Sequence, residues 1–297
     1  MKRIALLLII AAAPVNALAL DVFACEPEWT SLLMELAGDK VTVTTATTAF
    51  QDPHSLQARP SLIAAVRDAD LLVCTGADLE IGWLPLLLRR AGNAAVQPGT
   101  PGQFLAADYV RRLEVPQSID RAQGDVHPQG NPHIHLHPRN IARVAEALAK
   151  RLAEVDPANA SEYASKLEYF LHRWDEATDA WEERGAGLRG MRLASHHKSF
   201  SYLADWLGLD IVATLESKPG VPPSGAQLAK MLESLTPAPP VGVIRTPYEN
   251  EKPSLWLSER LDIPAIRLPF TVDATGDVVD LFSLYDATLR MLEEYAR

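Results

Sequence analysis

The sequence predicts an α/β protein of two lobes, each with a parallel sheet flanked by helices, joined by one long rigid linking helix. Three observations predict this fold. Short apolar runs alternate with helical segments in the first third of the chain, and the same alternation begins again after Gly190. Strands that alternate with helices indicate parallel sheets covered on both faces. Between these regions, residues 160–185 have a helical pattern that can reach across roughly 35 Å.

Apolar patterning predicts the elements of the N-terminal lobe. Strands are predicted at 20–25, 41–45 and 71–74, and the last is an unbroken apolar run typical of a strand buried on both faces. Helices are predicted at 28–36, 61–67 and 79–91. Between 99 and 138 this pattern breaks, because Pro, Gly, Gln and His accumulate there. We interpret that stretch as a long functional loop rather than a linker between domains.

A helical connection and a second lobe follow the loop. The helical period returns at Pro138, which suits the first position of a helix, and the long helix at 160–185 comes next. In the second lobe, strands are predicted at 191–194, 210–215, 241–244 and 265–268. Helices are predicted there at 200–207, 226–235, 253–261 and 278–295. The chain therefore divides into an N-terminal lobe at 20–137, a helical connection at 138–188 and a C-terminal lobe at 189–297.

Residues 1–19 predict a secretory signal peptide. Lys2 and Arg3 form a basic start, an apolar run follows, and Ala17-Leu18-Ala19 fits a cleavage site between small residues. The apolar run is shorter than the roughly 20 residues that span a bilayer. We therefore expect cleavage near Ala19, no stable membrane insertion afterwards, and a periplasmic protein.

The charge balance excludes one class of partner. The formal net charge is −10 at pH 7, and no basic stripe is present to neutralise phosphates. We therefore expect no binding to nucleic acid. An acidic surface also suits a protein that binds cations.

Cys25 and Cys74 each lie at the end of a predicted strand. In an oxidising compartment the two could form a disulfide, closing a loop of about 50 residues, which the chain-entropy model values at roughly 4 kcal/mol. The alternative is two buried free thiols. Their spacing resembles no zinc knuckle, so zinc ligation by these cysteines is less favoured.

Three histidines, His54, His133 and His197, occupy three well-separated short motifs. These motifs are Gln51-Asp52-Pro53-His54, Gly130-Asn131-Pro132-His133 and Ser195-His196-His197-Lys198. Each lies where a predicted strand gives way to a loop or helix, which is where α/β chains place residues that contact ligands. Neutral imidazole is the commonest protein ligand for zinc. The three histidines therefore predict a metal-binding site rather than an active site.

These motifs carry a family resemblance. Further stretches after each motif also carry it. Ala69-Asp70-Leu71 and Leu79-Glu80 follow the first motif, Pro138-Arg139-Asn140 follows the second, and Ser199-Phe200-Ser201-Tyr202 with Leu207-Gly208-Leu209 follows the third. In order and spacing the chain resembles the zinc/manganese solute-binding proteins of metal ABC importers (cluster A-I, the ZnuA/TroA-like family), over essentially all of its mature length. The resemblance implies that two lobes joined by a rigid helix hold one metal ion between them.

The resemblance also implies a ligand set. His54, His133 and His197 match the three histidine positions of the family. A histidine at the third position is typical of zinc binders, whereas manganese binders tend to carry a carboxylate there. Imidazole also suits zinc, so we expect Zn²⁺ rather than Mn²⁺. For the fourth ligand we expect Asp273, in the loop after the last strand, with Glu249 or a water as alternatives.

Other histidines are candidates for accessory metal binding. His135 and His137 alternate with His133, so on an extended segment all three would share one side and form a denser cluster, or else a short exposed run. His137 stands where relatives usually carry Asp. His127 lies in the long loop and could capture zinc before its transfer into the site. Relatives of the zinc type often insert a His-rich segment here, but this loop nearly lacks histidine before His127.

We therefore expect a periplasmic, monomeric solute-binding protein, not an enzyme, that delivers a divalent transition metal to the membrane permease of a metal ABC importer. Two alternatives remain at this point. Three histidines with an open position also describe a zinc-dependent hydrolase, although no His-Glu-x-x-His pair is present. A surface adhesin or metal-storage protein could use the same fold.

Overall fold

A computed structural model describes residues 19–116, 127–216, 220–273 and 276–296 of the 297-residue chain. It contains two four-stranded sheets, each with helices packed against it. The prediction of two lobes with parallel sheets and a long linking helix is confirmed. The predicted signal peptide and part of the predicted long loop, at 1–18 and 117–126, lie outside the described residues. No helix in the described part of the chain is both long and apolar enough to cross a membrane.

The N-terminal sheet has the strand order β2-β1-β3-β4, and every neighbouring pair is parallel. Its strands are β1 (Leu20–Ala24), β2 (Val41–Thr45), β3 (Leu71–Cys74) and β4 (Gln103–Leu105). Its helices are α1 (Pro27–Ala37), α2 (Pro60–Asp68) and α3 (Leu84–Ala91). All of β3 is buried, as its unbroken apolar run predicts. Cys25 and Cys74 form a disulfide at the ends of β1 and β3.

Two boundaries in this lobe differ from the sequence prediction. Strand β4 lies inside the predicted loop, and it is only three residues long with one buried side chain, Phe104. The helix predicted at 79–91 begins at Leu84, because Pro85 suits the first turn of a helix and cannot donate a hydrogen bond within a longer one. Before it, Gly76, Ala77 and Asp78 all have positive φ and turn the chain. Ala77 and Asp78 are not glycines, so this turn is strained and is held by its surroundings.

Two helices connect the lobes: α4 (Pro138–Val155) and α5 (Ala160–Gly185). The 26 residues of α5 correspond to a rod of about 39 Å. Trp174 and Trp181 lie one above the other on α5 and pack against Tyr285 of the C-terminal lobe, with ring centroids 5.4 and 4.8 Å away. One hydrophobic cluster accordingly contains residues of both lobes and of the linking helix. The linking helix is therefore part of the core and not a free hinge.

The C-terminal sheet has the order β6-β5-β7-β8 and is also parallel throughout. Its strands are β5 (Arg192–Ser195), β6 (Asp210–Thr214), β7 (Gly242–Arg245) and β8 (Ala265–Arg267). Its helices are α6 (Ser201–Leu207), α7 (Gly225–Leu235), α8 (Glu251–Leu261) and α9 (Leu281–Tyr295). Helix α9 begins three residues later than predicted, because the Asp280 side chain caps it.

Candidate metal centre

The carboxyl ends of the two sheets meet at one site. His54 lies in the loop after β2, His197 comes directly after β5, and His133 precedes the first turn of α4. In open parallel sheets, ligands bind at the carboxyl ends of the strands. Here two sheets present those ends to the same small volume, and a histidine from each lobe lies there.

The three predicted histidines come together. One ring nitrogen of each of His54, His133 and His197 lies within 4.8 Å of the others. Their ring centroids are 5.4 to 5.8 Å apart, and each pair of rings is close to perpendicular. The rings therefore do not stack, and one nitrogen of each lies close to those of the other two. The three side chains can therefore direct lone pairs at one cation.

Carboxylates orient two of these rings. The Nδ1 atom of His54 is 2.8 Å from an oxygen of Asp52, and the Nδ1 atom of His197 is 2.9 Å from an oxygen of Glu216. Because a carboxylate only accepts, each Nδ1 carries the proton and each Nε2 keeps its lone pair for a metal. The backbone amide of Gly220 donates to Glu216 at 2.9 Å and holds it in place.

His133 has neither ring nitrogen satisfied. The residue is 1 % exposed, and both Nδ1 and Nε2 are buried without a hydrogen-bond partner. Burial, with the neighbouring histidines His54 and His197, lowers the pKa of His133 well below its ordinary value. A buried polar atom without a partner is costly. A metal ion bound to one of these nitrogens would remove part of that cost, so this donor set fits a bound cation.

His127 lies next to the site and contacts His54, but it is not one of the three histidines whose ring nitrogens all lie within 4.8 Å of one another. Its Nε2 atom is 3.1 Å from the Nε2 atom of His54, and the two ring centroids are 5.1 Å apart. The backbone carbonyl of Ala77, in the strained turn after β3, accepts a hydrogen bond from the His127 ring. Burial, followed by the nearby His54 and His197, lowers the pKa of His127 to about 3. The ring is therefore neutral at physiological pH.

Glu249 lies in a cavity of about 230 Å³ beside the histidines. The cavity walls include Asp52, His54, His197 and Glu216. Burial raises the pKa of Glu249 to about 7. One of its oxygens accepts from the Thr246 amide at 2.7 Å, and the other accepts from the Ser199 hydroxyl at 3.4 Å. Glu249 is thus held within the C-terminal lobe, and among the described residues it does not join the close group of three histidines.

Three predicted candidates are not brought to the histidines. Asp273, expected as the fourth ligand, lines a different cavity with Thr30, Met34 and Val279. The reason is the course of its loop: the Asp273 amide bonds to the Val278 carbonyl at 2.7 Å, which turns the segment toward α1. Within the described ranges, the group of three histidines does not include Asp273.

His135 and His137 do not form a denser cluster with His133. Residues 134–136 form a turn of 3-10 helix and not an extended segment, so the alternating side chains do not share one side. His135 points into the interface, where its Nε2 atom donates to the Phe270 carbonyl at 2.7 Å. His137 caps α4 by accepting from the Arg139 amide at 3.2 Å.

The residues that sequence reasoning missed are the supporting ones. Asp52 is visible in the first motif, but its role depends on the ring of His54 folding back onto it. Glu216 follows β6, 19 residues after His197, and only the pairing of β5 with β6 brings the two together. A second close group, Cys25, Cys74 and Glu80, also has metal-ligand types. Its sulfur atoms are joined in the disulfide, and Glu80 accepts from the Thr75 and Gly76 amides.

The fold and the site together define a two-lobed protein with a cluster of histidines between its lobes that can hold a cation. A sequence profile of the family described as "ZnuA: Zinc-uptake complex component A periplasmic" matches residues 22–294. The chain belongs to this family.

Individual relatives are distant. The chain is 23% identical to the zinc-binding lipoprotein AdcA of Streptococcus pneumoniae (strain ATCC BAA-255 / R6) over 210 residues, which covers 67% of this chain and 39% of AdcA. It is 24% identical to the manganese ABC transporter substrate-binding lipoprotein PsaA of Streptococcus pneumoniae over 268 residues, covering 88% and 83% of the two chains. The match to AdcA thus spans about two fifths of that protein's length.

Solved structures share the fold. A crystal structure of ZnuA superposes with a TM-score of 0.76 and 22% identity, covering 93% of this chain and 98% of that chain. A Mn-bound periplasmic metal binding protein from Candidatus Liberibacter asiaticus gives a TM-score of 0.74 and 17% identity, covering 92% and 98%. At these identities the likeness extends to the fold.

Proposed function

We propose that this chain is a periplasmic solute-binding protein that captures one zinc ion between its lobes and delivers it to the membrane permease of a metal ABC importer. The observation that carries this proposal is the state of His133, a neutral and fully buried histidine whose two ring nitrogens have no partner. His54 and His197 direct further nitrogens into the same volume. The zinc ion is the cargo, and the protein's task is to bind it and to release it to the permease.

The donor atoms favour zinc over manganese. All three converging ligands are imidazole nitrogens, which suit zinc, whereas manganese prefers carboxylate and other oxygen ligands. The relatives include proteins named for each metal, zinc-binding AdcA and the manganese transporter component PsaA. The nitrogen ligands support zinc as the metal that this protein binds.

His127 is our candidate for the fourth ligand. Two nitrogens bound to the same tetrahedral zinc at about 2.0–2.1 Å are separated by about 3.3 Å, and the Nε2 atoms of His54 and His127 are 3.1 Å apart. The Ala77 carbonyl accepts a hydrogen bond from the His127 ring, which is neutral and so keeps one nitrogen lone pair for a metal.

Four histidine ligands favour transport over hydrolysis. A catalytic zinc keeps an open position for a water, whereas a site closed by four protein ligands holds the ion without one. The rival reading as a zinc-dependent hydrolase therefore requires His127 to be displaced during turnover. We expect zinc-loaded protein to show no hydrolysis of activated esters or phosphodiesters above that of a His133→Ala variant. We further expect the purified chain to be monomeric.

The first experiment is competitive zinc titration against a chelator of known affinity. Wild type is compared with His133→Ala and with His172→Ala, a matched variant whose histidine is 71% exposed on α5. We expect one tightly bound zinc in wild type and His172→Ala. In His133→Ala we expect affinity to fall by more than about 100-fold, since outer partners of a metal ligand alone contribute about 10- to 100-fold. Unchanged affinity in His133→Ala would overturn the proposal.

A cellular experiment separates import from adhesion or storage. A strain lacking this chain should take up radioactive zinc slowly at low external zinc, and wild type should restore uptake while His133→Ala should not. If the deletion left zinc uptake unchanged but reduced attachment to surfaces or cellular zinc content, an adhesin or a storage protein would be the better description.

A further inference from the structure

A buried polar bridge joins the two lobes beside the histidine site. Glu28, in the first turn of α1, belongs to the N-terminal lobe and is 1 % exposed. One of its carboxylate oxygens lies 3.2 Å from the Nδ1 atom of His135, which is itself 2 % exposed. The other accepts a hydrogen bond from the hydroxyl of Thr271, in the C-terminal lobe. Glu28 thus contacts both the segment that carries His133 and the opposite lobe.

The C-terminal lobe holds His135 from two more directions. The His135 Nε2 atom donates to the Phe270 carbonyl at 2.7 Å, and the Tyr285 hydroxyl donates to the His135 carbonyl at 2.6 Å. The orientation of the ring is therefore fixed by Phe270 on one side and Glu28 on the other. The Nδ1 contact with Glu28 is an ion-pair distance without good hydrogen-bond alignment. The contact is buried, and polar groups interact strongly there because water does not screen them.

This bridge leads directly to a proposed metal ligand. The Phe270 ring packs edge-on against His135 and also against His133, with centroid distances of 4.9 and 5.3 Å. His133 has no hydrogen bond to its ring nitrogens. Its ring is therefore positioned by packing, and Phe270 is one of the groups that pack against it. Because the two rings are in contact, a change in the position of Phe270 would shift the His133 ring.

We propose that Glu28 is a positioning residue of the metal site: its carboxylate fixes the His135 ring and the Thr271 hydroxyl, and so holds Phe270 where it orients His133 toward the cation. Glu28 does not contact the metal in this arrangement. Its effect passes through His135 and Phe270 to His133. This inference rests on the proposed function, because the property that it explains is metal affinity.

The test compares Glu28→Gln with wild type and with Ser31→Ala. Ser31 lies one turn further along α1 and accepts from the Leu281 amide of the opposite lobe at 3.2 Å, but none of its hydrogen bonds reaches His135. Ser31→Ala therefore removes a lobe-to-lobe hydrogen bond without touching the bridge. Zinc affinity and dissociation rate are measured on each protein at a temperature where its metal-free form is folded. The absorption spectrum of the cobalt-substituted protein reports the ligand geometry.

We expect Glu28→Gln to bind zinc about tenfold more weakly, at the lower end of the range for outer partners of metal ligands. We also expect faster zinc release and an altered cobalt spectrum. Ser31→Ala should keep wild-type affinity and spectrum. If Glu28→Gln does not fold, Thr271→Val decides, because it removes the hydroxyl donor and leaves the Glu28–His135 contact; its expected effect has the same direction and is about threefold.

Two results would overturn the inference. One is a folded Glu28→Gln protein, or Thr271→Val in its place, with wild-type affinity and cobalt spectrum. The other is an equal loss in Ser31→Ala, which would mean that any contact between the lobes has this effect. Failure of the proposed function is a different result, since wild type itself would then bind no zinc. A double variant, Glu28→Gln with His135→Phe, adds a further check. If the two residues act together, its loss of affinity will be smaller than the sum of the two single losses.

Discussion

The two sides of the histidine site are built differently. His133 belongs by sequence to the N-terminal lobe, yet the C-terminal lobe holds its segment at both ends. Before it, the Asn131 amide group donates to the Lys198 carbonyl and the Tyr202 hydroxyl donates to the Asn131 carbonyl, both at 2.9 Å. After it, Phe270 and Tyr285 bond to His135. His133 and His197 therefore form one side that is anchored to the C-terminal lobe.

His54 and His127 form the other side, and their supports lie within the N-terminal lobe. Asp52 bonds to both the ring and the amide of His54 from two residues away. The Trp83 indole donates to the Pro53 carbonyl at 2.8 Å, which ties this loop to the N-terminal core. The His54 side chain is 17% exposed, whereas His133 is 1 % exposed. The anchored side is therefore held by the C-terminal lobe, and the loop side by the N-terminal lobe alone.

The carboxylates behind the rings offer the sharpest test of this difference. Glu216 supports His197 on the anchored side and its side chain is 12% exposed, whereas Asp52 supports His54 and is 47% exposed. Water can replace part of the role of Asp52. We expect Glu216→Gln to weaken zinc binding by about 10- to 100-fold and Asp52→Asn by less than about tenfold. Competitive titration measures both.

The matched control for that pair is Asp39→Asn, which removes a surface carboxylate with an 83% exposed side chain. It should bind zinc as wild type does. Equal losses in Glu216→Gln and Asp52→Asn would mean that the two sides of the site contribute alike, and the distinction between anchored and loop sides would then not describe the binding energy.

Removal of His127 should have the next largest effect. We expect His127→Ala to keep zinc on the three remaining histidines, with about tenfold weaker binding, because a water can take the fourth position. The cobalt spectrum should change, since one nitrogen ligand is exchanged for oxygen. His137→Ala is the control, because His137 caps α4 and lies outside the site. An unchanged spectrum in His127→Ala would remove His127 from the ligand set.

Much of this architecture follows from the sequence. The strands appear as apolar runs, the linking helix as an uninterrupted helical period, and the three central histidines as the ends of three motifs. Each of these signals is local, because it depends on residues within a few positions of one another. Strand β4 was missed for the same reason, since its three residues, only one of them buried, are too few to form a pattern.

The supporting contacts are not local and could not be predicted. Glu28 and His135 are 107 positions apart, and their pairing depends on how α1 docks against the segment before α4. Asp273 shows that a local signal can also indicate a contact that the tertiary structure does not form. Its residue type and its place after the last strand favoured ligation, but the bond from its amide to Val278 turns that loop toward α1. Residue type indicates which side chains can bind a metal, and only tertiary packing decides which of them do.

The smallest expected effect is on pH dependence, and it too distinguishes the sides. Burial lowers the pKa of His133 in the folded protein, whereas in the unfolded chain a histidine takes a proton near pH 6.5. Below about pH 6.5 the unfolded state therefore binds one more proton than the folded state, so acidification favours unfolding. For metal-free protein in chelator we expect His133 to lower the free energy of unfolding by about 1 kcal/mol per pH unit below that point.

The measurement is the free energy of unfolding from denaturant titrations between pH 7.5 and 5.5, for wild type and His133→Leu. His133→Leu should reduce the pH dependence of the free energy of unfolding by an amount that corresponds to almost one proton. His172→Ala, which changes an exposed histidine, should leave that dependence unchanged. Zinc binding adds stability only to the folded state, and protons compete with zinc for the ring nitrogens, so saturating zinc should steepen the slope in wild type. The same slope in wild type and His133→Leu would mean that His133 accepts a proton without unfolding. The anchored side would then have to open in acid, against the cross-lobe hydrogen bonds that define it.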